Sequence, residues 1–404
     1  MTVLMNKKQE IKNRIDLINK GEVPEGYKKH QGFIHPIDWE NISFNKIFQE
    51  RCVKVNDTTR YPLYSLTIEK GVVPKTEQYE RSFLITKDED SYKVVKNNDF
   101  AYNPMNLRFG AIARYKDQDD CSVSGYYNVF SIINDYNPYF MESFVKSQAM
   151  LNYYNTQATG SLIEKQRVHF SQFIEFNFAL PSEKEQEKIA EILSCCDKVI
   201  ELKENLLVEK QKKNKLFGKT LLARTKGELI EIREVLDYEQ PTKYIVKNQY
   251  KEKQNDSDIP VLTANKAFIK SYTDEETGIY QNVPVIIFDD FTIENKYVDF
   301  PFKVQSSAIK ILKPKTKDIN LLYVYKAMQL LSFKAVDHKR YYLSEYQYLP
   351  IKIPKLEEQN RIIDILSKAD KEIELLKQEL EQYKQLKKSL SQLLLTGIVR
   401  VNEV

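Results

Sequence analysis

The sequence predicts an α+β protein with a pseudo-two-fold internal repeat: two β-rich units, each followed by a long helix, the two helices pairing as a coiled coil. Three observations carry this. First, "LPSEKEQEKIAEILSCCDKVIEL" (residues 180–202) returns without a gap as "IPKLEEQNRIIDILSKADKEIEL" (residues 353–375), so that Pro181 falls on Pro354, Gln186 on Gln359, Ile189 on Ile362 and Asp197 on Asp370. Second, each copy opens a seam of apolar residues at alternating four- and three-residue steps. Third, the segments before the two copies hold short β-like runs in the same order but share little identity, the signature of a duplicated architecture with divergent parts.

The helical seams come first. In the second copy Ile362, Leu366, Ala369, Ile373, Leu376, Leu380, Tyr383, Lys387, Leu390 and Leu394 form a heptad line broken only at Lys387. In the first copy Ile189, Leu193, Cys196, Ile200, Lys203, Leu207, Lys210, Asn214, Phe217 and Leu221 form a line that turns polar in its middle third. Ile189, Leu193, Ile200 and Leu207 are the expected coiled-coil core of one helix, with Ile362, Leu366, Ile373 and Leu380 that of the other. A helix of about 40 residues is roughly 60 Å long at 1.5 Å per residue. One apolar stripe on such a helix needs a partner, and the economical partner is the other copy. Lys203, Lys210 and Asn214 are then register devices, or lie where the rod is thin.

The repeat extends upstream. "QRVHFSQFIEFNFALP" (residues 166–181) aligns at the same offset with "KRYYLSEYQYLPIKIP" (residues 339–354), and their alternating apolar residues read as a strand feeding each helix. Further up, residues 61–71 match 259–269 in pattern, 99–104 sit where 285–290 sit, and 124–132 sit where 305–312 sit. A helix follows in each half, over 139–151 and 320–333, and another is expected at the start, over 7–20. The expected boundaries are an N-terminal helical segment (1–38), a first β-rich unit (39–180), a central helix (181–226), a second β-rich unit (227–353) and a C-terminal helix (354–404).

Composition narrows the class. The chain is 42% apolar and 29% charged with a net charge of +4, which argues against a bulk polycation. No run of about eighteen apolar residues exists to span a membrane, and the polar start lacks the apolar core of a signal peptide. Cys52, Cys121, Cys195 and Cys196 show no CxxC spacing, and adjacent helical cysteines make an awkward disulfide, so reduced thiols of a cytoplasmic protein are expected. Residues 198–226 carry nine Lys or Arg against three acids, a basic helix face that suits either solvent or nucleic acid. The 26 Tyr and 20 Phe suit a recognition surface.

The paired "P-x-x-x-EQ-x-x-I-x-x-IL" helix openings closely resemble those of the specificity (S) subunits of type I restriction–modification systems. "PIDWENISFNKIF" (residues 36–48), "ATGSLIEKQRVHFSQF" (158–173) and "LLLTGIVRV" (393–401) carry the same resemblance. It covers essentially the whole chain, apart from the helix at the start. The resemblance implies that each β-rich unit is a target recognition domain reading one half of a bipartite double-stranded DNA site. It implies that the two helices pair antiparallel as a spacer and as the docking surface for two methyltransferase (M) subunits, which restriction (R) subunits join. On this reading the chain is non-catalytic and carries no cofactor of its own. S-adenosylmethionine, ATP and Mg²⁺ belong to the partner subunits. A coiled-coil adaptor presenting two protein-binding modules without touching DNA is the alternative.

Signals of intrinsic catalysis have simpler explanations. "NPYF" (137–140) and "NPMN" (103–106) echo the base-holding motif of amino-methyltransferases, but Asn137 is a good N-cap with Pro138 at the first helical position. No Gly-rich cofactor loop precedes either, and the chain has only 11 glycines. "FDDFTIENK" (288–296) places two acids at a strand end without the lysine partner of a metal-dependent nuclease. His30, His35, His169 and His338 lack metal-ligand spacing, and there is no Walker A loop.

Base-edge readers are expected where the two units differ at matching positions. In the first these are Ser65 and Thr67, then Asn103, Asn106 and Arg108, then Ser124, Tyr126 and Tyr127. In the second they are Thr263, Asn265 and Lys266, then Asp289, Asp290 and Thr292, then Ser306 and Ser307. Asn suits adenine, Arg or Lys suits guanine, and an acid accepts from the cytosine amino group. Arg167 and Arg340 occupy equivalent positions in both halves, so with Lys165 and Lys339 they are candidates for sequence-independent phosphate contacts.

Overall fold

The computed structural model describes residues 2–75, 92–162, 165–264, 267–335 and 339–401. It divides into two compact units: Met1–Lys203 with Glu379–Val404, and Glu204–Gln378. Each holds a β-rich part and one stretch of each long helix.

The first unit begins with helix α1 (Thr2–Asn19) and a hairpin of strands Tyr27–His30 and Phe33–Pro36. Residues 1–38 are therefore not purely helical, because Gly32 and Gln31 take positive φ and turn the chain back on itself. The Arg14 guanidinium donates to Ile398 O at 2.8 Å and lies over the Tyr27 ring, whose hydroxyl donates to Gly397 O at 2.7 Å. These contacts tie α1 to the C-terminal segment.

The unit's central sheet is four-stranded and antiparallel, in the order Ile112–Arg114, Phe100–Tyr102, Asn128–Ile132, Phe48–Glu50. Phe44, Phe48, Phe100, Phe130 and Phe173 pack on one another with ring centroids 4.9–5.9 Å apart. The expected helix over 139–151 is two helices, α2 (Pro138–Val145) and α3 (Gln148–Gln157), because Ser147 caps the second by accepting from Met150 N. Asn137 caps α2 by accepting from Tyr139 N and Phe140 N, with Pro138 at the first position.

The strand predicted over 166–181 is only half a strand. Its first part folds into a short helix, α4 (Phe170–Phe173), closed by a capping box between His169 and Gln172, and only Asn177–Leu180 is extended. Alternation of apolar residues did not separate the two, since one helical turn buries Phe170 and Phe173 equally well. The extended part pairs antiparallel with Glu40–Ser43, so the strand that feeds α5 closes on the strand that follows the N-terminal hairpin.

Helix α5 (Glu183–Arg224) leaves this strand, and in the first unit its opening turns meet the end of helix α8 (Leu356–Leu395). Asp197 pairs with Lys387, and Lys203 reaches Glu379 at 2.7 Å with its ammonium 4.8 Å from the Tyr383 ring centroid. Partner numbers fall as α5 advances, which makes the pairing antiparallel. Ile189 and Leu193 are fully buried here among Leu394, Leu395 and the phenylalanine core.

The second unit repeats the plan. Strands Glu228–Glu231 and Pro350–Ile353 pair antiparallel, with the short helix α6 (Ile232–Val235) following the first. The four-stranded sheet runs Leu236–Glu239, Ile309–Pro314, Val285–Asp289, Asn295–Val298. Helix α7 (Leu321–Gln329) follows it, capped by Asn320 as α2 is capped by Asn137. Tyr346, at the position equivalent to Phe173, is likewise buried, its ring 4.7 Å from that of Phe288.

In this unit Lys210 pairs with Glu372 at 2.5 Å, and the Asn214 amide donates to Asp370 at 2.8 Å. Lys203, Lys210 and Asn214 are thus cross-helix partners whose polar ends meet complementary groups, which fixes register. Phe217, expected in the seam, is 46% exposed, and Gly218 is buried against Leu366 in its place. From Asn214 the seam advances by fours, through Gly218 to Leu222, as a helix of 3.6 residues per turn drifts off a strict heptad. Ile200, Leu207 and Ile373 are half-buried, whereas Ile362, Leu366 and Leu380 are buried.

The repeated glutamine has a clear task. Gln186 donates to Pro181 O at 2.9 Å and accepts from Asn137 N at 3.4 Å. Gln359 donates to Pro354 O at 2.9 Å and accepts from Asn320 N at 2.7 Å. Each amide, 1% exposed, bolts the start of a long helix to the cap of the helix that packs beside it. The neighbouring glutamates differ. Glu185 receives Trp39 Nε1 and the Arg400 guanidinium, which also grips Asp38, while Glu358 pairs with Arg361 at the surface.

Replacing either glutamine by alanine strands buried polar groups, so Gln186→Ala and Gln359→Ala should each cost about 1–3 kcal/mol in urea unfolding. A loss under about 0.5 kcal/mol, within the range of an ordinary surface substitution, would contradict the clamp. Asp290 and Lys310 form a 3.5 Å ion pair with both side chains 1% exposed. Asp290→Ala should therefore cost about 3–5 kcal/mol, read by the same unfolding curve.

Candidate nucleic-acid interface

Antiparallel pairing decides which loops share an end of each sheet. In the first unit Tyr102 lies opposite both Asn128 and Ile112. The loop 103–111 and the turn 124–127 therefore emerge at the same end. The hairpin of Tyr64–Thr67 and Gly71–Pro74 joins them: a Cβ on Gly110 would sit 3.6 Å from Ile68 Cγ2, and one on Gly71 3.0 Å from Ala113 Cβ. Val168 N donates to Pro104 O at 3.1 Å, which brings the approach to α4 to this end as well. The opposite end of the same sheet carries Ile132 and leads to Asn137 and the glutamine clamp.

The second unit converges in the same way. Asp289 lies opposite Ile309, so loops 289–294 and 305–308 share an end. Gln305 N donates to Leu262 O at 3.1 Å and Thr263 N to Phe268 O at 3.0 Å, which brings Thr263 and Phe268 to this end as well. Tyr341 N donates to Asp290 O at 2.8 Å, the counterpart of the Val168–Pro104 bond. These two backbone bonds place Arg167 and Arg340, one residue before each, at the same station of the two units. Arg167 is half-buried and Arg340 exposed, its guanidinium 6.0 Å from the Phe291 ring centroid.

Several expected readers are occupied with holding these loops. Thr67 Oγ1 donates to Gly71 O at 3.3 Å and Thr263 Oγ1 to Ala267 O at 2.9 Å, matching turn clamps in the two units. Asn103 Oδ1 accepts from Met105 N at 3.0 Å. Asp289 Oδ1 accepts from Phe291 N at 3.0 Å and Thr292 N at 2.9 Å. Short polar side chains at strand ends serve such turns readily. Asp290 is a correction. Its carboxylate accepts from Tyr342 N at 2.8 Å and pairs with Lys310, which reaches Gln240 at 3.1 Å, so it is a core strut with no face toward a ligand.

What remains at the loop ends is polar, aromatic and basic. Asn106, Lys165, Thr292, Ser306 and Ser307 are exposed, as is Tyr126 at 45%. Ser65 and Ser124 are half-buried. Arg108 donates to Gln166 at 2.8 Å and its guanidinium lies 4.7 Å from the ring centroid of Phe109, itself 55% exposed. Burial pushes the Tyr127 phenol above its ordinary pKa, opposed by a bond to the Leu66 backbone. Lys339 pairs with Glu345 at 2.5 Å and faces the Tyr341 ring. Asn265 and Lys266 lie outside the described residues. Sequence matching passed over Phe109, Gln166 and Phe291, since aromatic and amide side chains beside an arginine carry no pattern of their own.

Among the described residues no helix is long and apolar enough to cross a membrane. The family model of the type I restriction modification DNA specificity domain matches the chain twice, over residues 36–211 and 226–385. The type I restriction enzyme EcoR124I/EcoR124II specificity subunit of Escherichia coli is 45% identical over 160 residues, covering 37% of this chain and 39% of that relative's length. A protein of Methanocaldococcus jannaschii assigned as the type I restriction enzyme MjaX specificity subunit is 25% identical over 423 aligned positions, covering 93% of this chain and 97% of its own. The crystal structure of a type I restriction-modification system S subunit from M. genitalium superposes with a TM-score of 0.54 at 14% identity, covering 91% of this chain and 97% of that one, and so shares the fold. With one match on each β-rich unit and the helix that follows it, the chain belongs to the type I restriction–modification DNA specificity family.

Proposed function

We propose that this chain reads DNA for a type I restriction–modification complex. Each β-rich unit reads one half of an asymmetric, bipartite double-stranded target. The paired helices α5 and α8 set the gap between half-sites and dock two methyltransferase subunits, through which restriction subunits join. The chain itself performs no chemistry: S-adenosylmethionine, ATP and Mg²⁺ are held by those partners, and the complex works in the cytoplasm.

The observation that carries this reading is equivalence of frame with difference of content. Both units gather corresponding loops at one end of a four-stranded sheet, and equivalent backbone bonds seat Arg167 and Arg340 there. The side chains around them differ: Asn106, Arg108 and Tyr126 in one, Thr292, Ser306 and Ser307 in the other. Arginines at a shared station suit phosphates, which are alike in any sequence, whereas divergent polar tips suit base edges. Helix α5, at 42 residues, is about 63 Å long, enough to span more than one turn of a DNA duplex.

Exchanging residues 40–155 for those of a relative with a different target should change one half of the methylated site and leave the other half and the gap intact. Change in both halves, or in neither, would contradict the assignment of one reader to each unit.

A further inference from the structure

Strand register equates Gln305 of the second unit with Ser124 of the first. Pro62 corresponds to Pro260 in the repeat. The residue after each pairs in parallel with a later segment: Leu63 with Ser122, and Val261 with Lys303. Two positions further along those segments stand Ser124 and Gln305. Gln305, rather than Ser306 or Ser307, is therefore the counterpart of Ser124.

The backbone at Gln305 is pinned while its side chain is left over. Gln305 N donates to Leu262 O at 3.1 Å and Asp290 N to Ala308 O at 3.0 Å, which holds both ends of the loop. Buried Lys303 secures the strand before it, pairing with Glu275 and donating to Thr277 O at 2.7 Å each. Neighbouring polar groups are spent on the frame. Thr263 donates to Ala267 O, Asp289 accepts from two backbone N–H groups, and Ser306 Oγ accepts from Ala308 N at 3.3 Å. The Gln305 amide has no such duty. The residue is half-buried, and its Oε1 is covered without a hydrogen-bond donor among the described residues. At the matching station of the first unit, Ser124 Oγ accepts from Tyr126 N at 3.4 Å.

We infer that Gln305 is a specificity-determining residue of the second unit and that it reads an adenine. The inference rests on the proposed reading of one half-site by each unit. A glutamine amide presents a donor and an acceptor side by side, which match N7 and the N6 amino group of adenine in the major groove. That amino group supplies the donor that Oε1 lacks, so binding removes the cost of an unmet acceptor. The last torsion of the side chain is soft, and the amide turns to a base edge without disturbing the pinned backbone. Ser307, exposed two residues on, carries one hydroxyl that suits more than one base and discriminates little.

The test uses the full chain assembled with its methyltransferase subunit and duplexes carrying the mapped target. The second unit's half-site is the one that survives exchange of residues 40–155. Each of its base pairs is replaced in turn, and binding is measured by fluorescence anisotropy at one fixed salt concentration. For the unaltered chain, replacing one A·T pair should weaken binding about tenfold or more. In Gln305→Ala that penalty should fall to about twofold or less, with the penalties at every other position of both half-sites unchanged. Gln305→Glu, which only accepts, should shift preference at that one position from adenine toward cytosine. Unchanged penalties in Gln305→Ala, or binding weakened equally on all duplexes, overturn the inference and leave the two-reader account intact. A second half-site without an A·T pair does the same. Equal binding of all duplexes by the unaltered chain overturns the two-reader account and the inference with it.

Discussion

Everything in this chain depends on one constraint: a helix of 42 residues with a single narrow apolar stripe cannot stand in water without a partner. Each long helix finds that partner in the other, running antiparallel, with Ile189, Leu193, Ile362 and Leu366 buried where the stripes meet the β-rich cores. Where the stripe of α5 turns polar, cross-helix pairs take over. Such exposed pairs add little stability, but they penalise any slipped register, because a slip strands Lys203, Lys210 and Asn214 opposite the wrong groups.

The glutamine clamps link this pairing to the β-rich part of each unit. Gln186 and Gln359 fasten the helix pair to the caps of α2 and α7, at one end of each four-stranded sheet. The candidate reading loops leave from the other end. Because the inner strands of each sheet are hydrogen-bonded on both sides, the loops inherit a fixed base while their tips remain free to differ. That separation of frame from tip lets two unlike sets of loops share one scaffold.

Much of this was legible in the sequence, for physical reasons that differ by element. The helices and their mutual pairing followed from a periodicity sustained over many turns. The matched strands 99–104 with 285–290, and 124–132 with 305–312, do hold corresponding places in the two sheets. The roles of individual loop residues were less legible. Short polar residues at strand ends suit base edges and turn clamps equally, and only the hydrogen bonds of Thr67, Thr263, Asn103 and Asp289 separate the two. Asp290 read as a loop acid because its partner Lys310 lies on another strand, a pairing invisible without the sheet register. The slip from Phe217 to Gly218 reflects helical drift that a heptad template ignores.

The central claim is that two dissimilar units read two dissimilar half-sites at one fixed separation. Mapping methylated bases in the DNA of cells that express this chain with its methyltransferase partner tests it most directly. The account predicts a single asymmetric motif: two short, unlike specified blocks flanking an unspecified gap of constant length, with methylation in both blocks. A continuous motif, a pair of identical half-sites, or DNA methylated no differently from that of cells lacking this chain would contradict it.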